Sequence, residues 1–281
     1  MQRRYREGAP ALAVPAADRG SANPGTIGTA ADWLLRFLLS PRPPLDVAMA
    51  GTALALKAGI DLRAAVGEMA RSLGLTLPRK PTAHGETFAG PLSGSAAPPE
   101  LLARAAWALA LLTEVYRAGP MALAAGPLGL LPGGPVTAAD LLGLVPQAGL
   151  DQLARFRQVF ETALLPQLAV RQGQWALGPV FTGSAVMNAD ADLIAAGLLL
   201  DLKTAAARPS LGVKDMCQLI GYALLDFDDE YQITEVGLFA ARYAYLATWD
   251  LGSLLAELAG HPVSLSSERA EFRSLLTGAV A

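Results

Sequence analysis

A chain of 281 residues that is 52% hydrophobic and only 17% charged has the apolar material for one large domain or two small ones, and too little charge to be disordered over most of its length. Its single cysteine, Cys217, excludes an internal disulfide framework, a four-thiolate zinc site and a cysteine-held iron–sulfur cluster. The net charge of −3 hides a gradient, from 11 basic and 7 acidic side chains in residues 1–90 to 6 basic and 13 acidic in residues 188–281, which is not the basic excess of proteins that coat nucleic acid without specificity.

No stretch reaches the about 20 uninterrupted apolar residues of a membrane span. The arginines near the start are followed by no apolar run of signal-peptide length. The expectation is a soluble cytoplasmic protein without a membrane partner. Residues 1–28, rich in Ala, Pro, Gly and Arg and without a period, read as a flexible tail. Helical spacing begins at Thr29, where Trp33, Leu34, Phe37 and Leu38 form one apolar face, and Pro41, Pro43 and Pro44 end it. Two further helices are predicted over Asp46–Ala58 and Leu62–Leu73, and residues 81–98 read as a linker or surface loop. Glu100–Arg117 is again helical, and Gly119–Pro135 reads as a Gly/Pro-rich loop. Thr137–Leu142 and Asp151–Val170, kinked at Pro166, complete an all-helical region over 29–177.

The character changes near Gly178. Val180-Phe181 and Ala185–Met187 have strand composition, and Ala189–Ile194 and Leu198–Thr204 are strand candidates joined by Ala-Ala-Gly. Gly212–Leu225 reads as a helix, Glu235–Ala240 and Tyr245–Trp249 as a second strand pair, and Leu251–Leu258 and Ser267–Leu276 as closing helices. Residues 178–281 therefore predict a mixed α/β (α+β) domain.

On a strand, alternate side chains share a face, so Asp190 points with Asp192, and Asp201 with Lys203. If these two strands pair, three carboxylates and one ammonium meet at one end of a small sheet, among the apolar Leu193-Ile194 and Leu198–Leu200. Carboxylates half buried in such surroundings need a partner or a bound cation. Oxygen-only ligands select a hard ion such as Mg²⁺ or Mn²⁺. On the following helix, Gln218 and Tyr222 stand at i and i+4, on one face.

Asp192, then Asp201-Leu202-Lys203, then Gln218-Leu-Ile-Gly-Tyr222 resembles the motif series of the PD-(D/E)xK nuclease superfamily, and the Gln-x-x-x-Tyr element its RecB-like branch. The resemblance covers about residues 178–250. It implies a restriction-endonuclease-like core, a small mixed sheet flanked by helices, with the helical region 29–177 packed on it. It further implies that Asp192, Asp201 and the Leu202 backbone carbonyl hold Mg²⁺ or Mn²⁺, joined by a glutamate from the preceding helix, for which Glu161 is the best placed. Lys203 would orient or help deprotonate the attacking water, and Gln218 and Tyr222 would brace the lysine or touch the DNA backbone. The implied activity is hydrolysis of DNA phosphodiester bonds, in repair and recombination or in defence against foreign DNA.

Some features depart from the family pattern. Ala191 stands where relatives usually have proline. The upstream histidine of RecB-like enzymes has no counterpart, since the chain holds only His84 and His261. The four-cysteine cluster of some relatives is excluded. No GxxxxGK[ST] loop is present, so this chain is not itself a helicase. The alternative is a catalytically silent nuclease-like subunit that binds DNA or a protein partner in a larger complex.

Overall fold

A computed structural model describes residues 2–18, 20–75, 87–90, 93–131, 134–187, 189 and 191–278. In chain order the helices and strands are α1 Gln2–Gly8, α2 Pro24–Leu39, α3 Asp46–Lys57, α4 Arg63–Ser72, β1 Thr87–Ala89, α5 Pro99–Ala118, α6 Pro120–Ala125, α7 Ala138–Gly143, α8 Gln147–Val159 and α9 Leu165–Ala169. There follow β2 Gln174–Leu177, β3 Leu193–Ala195, β4 Leu198–Lys203, α10 Val213–Leu225, β5 Glu235–Ala240, β6 Tyr245–Asp250, α11 Leu251–Ala259 and α12 Leu265–Gly278. The chain forms two compact units, one of residues 14–82 and 93–160, the other of residues 1–13, 83–92 and 161–281. Among the described residues no helix is long and apolar enough to cross a membrane.

The first unit is helical, as its spacing predicts. Helices α2, α3, α7 and α8 pack on α5, which is buried on nearly every side from Leu102 to Val115 and forms the axis of the bundle. The α3–α5 contact depends on Gly51, where a Cβ would lie 1.9 Å from the Leu112 carbonyl oxygen. Gly119–Pro135, expected to be a loop, contains α6 and a 3₁₀ turn over Pro127–Leu130. The irregularity expected at Pro166 is a π-helical turn, Phe160–Leu164, between α8 and α9. Proline has no N–H to give to the carbonyl four residues back, so the ladder widens just upstream of it.

The second unit is a mixed α/β arrangement around an open six-stranded sheet in the order β1-β2-β3-β4-β5-β6, with all neighbours antiparallel except the parallel pair β4/β5. α10 is the crossover that a parallel pair requires. Ala195 pairs with Leu198, so β3 and β4 are joined by two residues, Ala196 at φ 48° and Gly197 at φ 80°. Positive φ at both positions matches the twist of the flanking strands. On one face of the sheet Ala176, Ile194, Leu199, Val236 and Leu238 pack with Leu219 and Ala223 of α10 and Leu251, Leu254 and Leu255 of α11.

Several boundaries differ from the sequence reading. The described part of residues 1–28 is not a loose tail: α1 forms, Tyr5, Ala9 and Val14 are buried, and α2 begins at Pro24, with Asn23 capping it. The region 29–177 is interrupted, because the bundle ends at Phe160 and Thr87–Ala89, expected in a linker, is an edge strand on β2. The next strand, β2, also starts before Gly178, at Gln174. Ala185–Met187 is no strand: Ser184 accepts from Phe181 N and donates to Ala189 O, curling Thr182–Ala185 into a 3₁₀ turn. His84 and Asp190 lie outside the described residues.

Candidate active site

The site forms at the C-terminal end of β4. Leu199, Asp201 and Lys203 alternate onto the face that α10 covers. The β3/β4 register of Leu193 with Leu200, carried one residue further, sets Asp192 opposite Asp201. Cross-strand neighbours stand about 5 Å apart at Cβ, and two like charges there repel. The chain offsets this with donors. Asp192 Oδ2 accepts the Leu202 N–H at 2.7 Å, its side chain taking the place of a ladder partner. Asp201, only 6% exposed at its side chain, meets Lys203 Nζ at 2.9 Å.

Lys203 is the hub. Besides Asp201, Nζ donates to Gln218 Oε1 at 2.9 Å and lies 3.5 Å from Asp215 Oδ1. Gln218 Nε2 donates in turn to the Tyr222 hydroxyl at 3.0 Å; since the ammonium can only donate, the amide oxygen is the end that faces the lysine. The Tyr222 ring stacks on Phe181 at 6.0 Å. The i, i+4 spacing on α10 and the period of two on β4 thus meet at one ammonium. Burial by itself would lower the Lys203 pKa, but Asp201 first, then Asp215 and Asp192, outweigh it and hold the ammonium above its ordinary value. Lys203 is therefore a cation and hydrogen-bond donor at neutral pH.

The exit from β4 is pinned. Arg242 is buried and donates through Nε to Thr204 O at 2.7 Å. Tyr243 donates to Ala206 O at 3.0 Å. A pocket of about 170 Å³ opens beside Lys203, with Arg208, Ser210 and Asp215 in its wall.

Two residues of the site escape the sequence reading. Asp215 lies one turn before Gln218 on α10 and accepts the Gly212 N–H at 3.0 Å. The signal was present as an acid three residues after a glycine at a helix start. Tyr5 also lines the pocket, its ring 5.5 Å from Tyr245 and 5.8 Å from Trp249. Burial, then Tyr245, then the Asp215 and Asp201 carboxylates push its hydroxyl up to about 12. No local pattern around Tyr5 announces this placement.

For a metal, Asp192, Asp201 and the Leu202 carbonyl offer an all-oxygen set, and one or two carboxylates are what Mg²⁺ usually takes from a protein. Among the described residues no three His, Cys, Asp or Glu side chains form a metal-holding group. Glu161, exposed on the π-helical turn, is thus not gathered with Asp192 and Asp201 into a three-carboxylate cage. His261 is exposed, its ring beside the Pro262 carbonyl. Beyond α10, Asp226 is completely buried against Arg269 of α12.

No protein-family model matches the chain, and neither a curated protein nor a solved structure is significantly similar to it.

Proposed function

We propose that this protein is a metal-dependent nuclease with a restriction-endonuclease-like core that hydrolyses DNA phosphodiester bonds. The observation that carries the reading is the continuous polar chain from Asp201 through Lys203 and Gln218 to Tyr222, with Asp192 tied to the Leu202 N–H between them. A structural ion pair needs neither the glutamine relay nor a second carboxylate set opposite the first. The resemblance to PD-(D/E)xK nucleases assigns roles to these same five side chains.

Asp192, Asp201 and the Leu202 carbonyl would hold Mg²⁺ or Mn²⁺. When bound, such an ion supplies Lewis-acid neutralisation of the phosphate. Lys203, charged and held by Gln218, would donate to a phosphate oxygen or to the attacking water, stabilising negative charge as it builds on the phosphoryl oxygens. Its raised pKa argues against a role as general base while Asp201 is its partner. Water adds to phosphorus, one P–O ester bond breaks, and the departing oxygen takes a proton. Repair, recombination and defence against foreign DNA are the contexts the resemblance carries.

The test is cleavage of linear, circular and single-stranded DNA with Mg²⁺ or Mn²⁺, wild type beside Lys203→Ala. The reading expects metal-dependent cleavage by the wild type alone. If neither protein cuts any of the three substrates, the catalytic reading fails and the silent, partner-binding subunit takes its place.

A further inference from the structure

An ammonium has three hydrogens to give, and Lys203 has three acceptors around it: Asp201 Oδ2, Gln218 Oε1 and Asp215 Oδ1. They are not equivalent. Asp201 comes from the lysine's own strand, at 2.9 Å, already the length of a charge-assisted hydrogen bond. Asp215 and Gln218 both come from α10, one turn apart, so they form a fixed pair independent of the strand. Asp215 is held by its other oxygen, which accepts from Gly212 N, so Oδ1 is left toward Nζ at 3.5 Å, a distance that leaves room to tighten. The pocket beside Lys203 and Asp215 supplies free space for that movement.

Resting on the metal-site reading above, we infer that Asp215 is a positioning residue that takes over Lys203 when a divalent cation engages Asp201. The same carboxylate oxygen cannot serve a cation and an ammonium without bringing two positive charges close together. A cation that takes Asp201 Oδ2, the oxygen Nζ faces, therefore displaces the lysine, and the direction that preserves the Gln218 hydrogen bond leads to Asp215. The lysine stays in the site instead of swinging into solvent. Asp215 never touches substrate in this scheme; it decides where Lys203 stands when substrate arrives.

Two measurements on the full chain test this. A crystal structure with Mn²⁺, located by its anomalous signal, is expected to show Nζ at ~2.8 Å from Asp215 Oδ1 and beyond about 4 Å from Asp201. Mn²⁺ titration followed by the free-ion EPR signal is then compared for wild type, Asp215→Asn, Lys203→Met and the double variant. Asp215→Asn keeps an oxygen for Gly212 N, so the helix start is preserved. It is expected to weaken Mn²⁺ binding about fivefold, the worth of a part-exposed ion pair, and to lose most of that effect in the Lys203→Met background. If Mn²⁺ binds but Lys203 remains on Asp201, or if Asp215→Asn costs the same in both backgrounds, the role of Asp215 is overturned and the metal site stands. If the wild type binds no Mn²⁺, the metal site itself falls, and this inference with it.

Discussion

The two units bury polar groups in opposite ways. In the helical unit several buried polar side chains are settled by one or two partners: Trp33 Nε1 donates to Thr113 Oγ1 at 3.0 Å, Thr52 donates to Ala48 O one turn back, and Arg36 pairs with Asp32 at i, i+4. The sheet unit instead gathers buried charge into connected groups, and it does so twice, with different outcomes. Asp226 is wholly enclosed, accepts the Glu230 and Tyr231 N–H groups, and faces Arg269, which also binds Asp229 and the Ala223 carbonyl. Asp201 is almost as buried, yet its lysine is 32% exposed and opens onto a pocket. One ion pair is closed inside the fold; the other is left open at a strand end, with a helix-borne relay behind it.

The sharpest test of that contrast removes one cation from each cluster. Lys203→Met is expected to reduce metal-dependent cleavage at least about a hundredfold with a smaller loss of stability than Arg269→Met, because the lysine is 32% exposed and solvent screens part of the charge left on Asp201. Arg269→Met should do the reverse. It strands Asp226 without its cation in a fully buried position, and breaking such a pair costs about 3–5 kcal/mol. Chemical denaturation measures that loss, while cleavage per folded molecule stays at the wild-type level. If Arg269→Met abolishes cleavage at temperatures where the protein is folded, the two clusters are one site and the contrast collapses.

A second test concerns alkali. Tyr5 keeps its proton to about pH 12 in the folded chain, against an ordinary value near 10 when unfolded. Its stabilising contribution is complete below pH 10 and is lost as pH rises to 12, since the unfolded state releases the proton first. Lys203, also raised, acts in the same direction, present below about pH 10.4 and lost above it. Tyr5→Phe should therefore flatten the fall in stability between pH 10 and pH 12 by about 2 kcal/mol. Urea unfolding at closely spaced pH values reads this directly. An unchanged slope would mean that α1 does not enclose Tyr5 beside the site.

What the sequence makes legible follows from the range of the geometry. Asp201 with Lys203, and Gln218 with Tyr222, each sit within one element, where the periods of two and 3.6 dictate the shared face before any tertiary contact exists. Asp192 opposite Asp201 needs only the short turn Ala196-Gly197. Tyr5 beside Asp215, Arg269 on Asp226 and Thr87–Ala89 on β2 join residues far apart in the chain, and no local pattern encodes them. β2 itself is four residues with one polar member, a weaker strand signal than Val180-Phe181 or Ala185–Met187. There Ser184, hydrogen-bonding to its neighbours' backbone, overrides the apolar composition.

The smallest expected effect belongs to the helical unit, where polar burial is local. Thr113 accepts from the Trp33 indole N–H and passes its own proton to Leu109 O. Thr113→Val keeps the shape and removes the acceptor, leaving a buried N–H unsatisfied at a cost of about 1–2 kcal/mol. Because the hydrogen bond joins α2 to α5 and nothing beyond them, the loss should add to that of Arg269→Met without interaction, as independent sites do. Denaturant curves of the two single variants and the double variant check this. Non-additivity above about 0.5 kcal/mol would show that the two sites are energetically coupled, and the polar chemistry of each would then have to be read through the stability of the other.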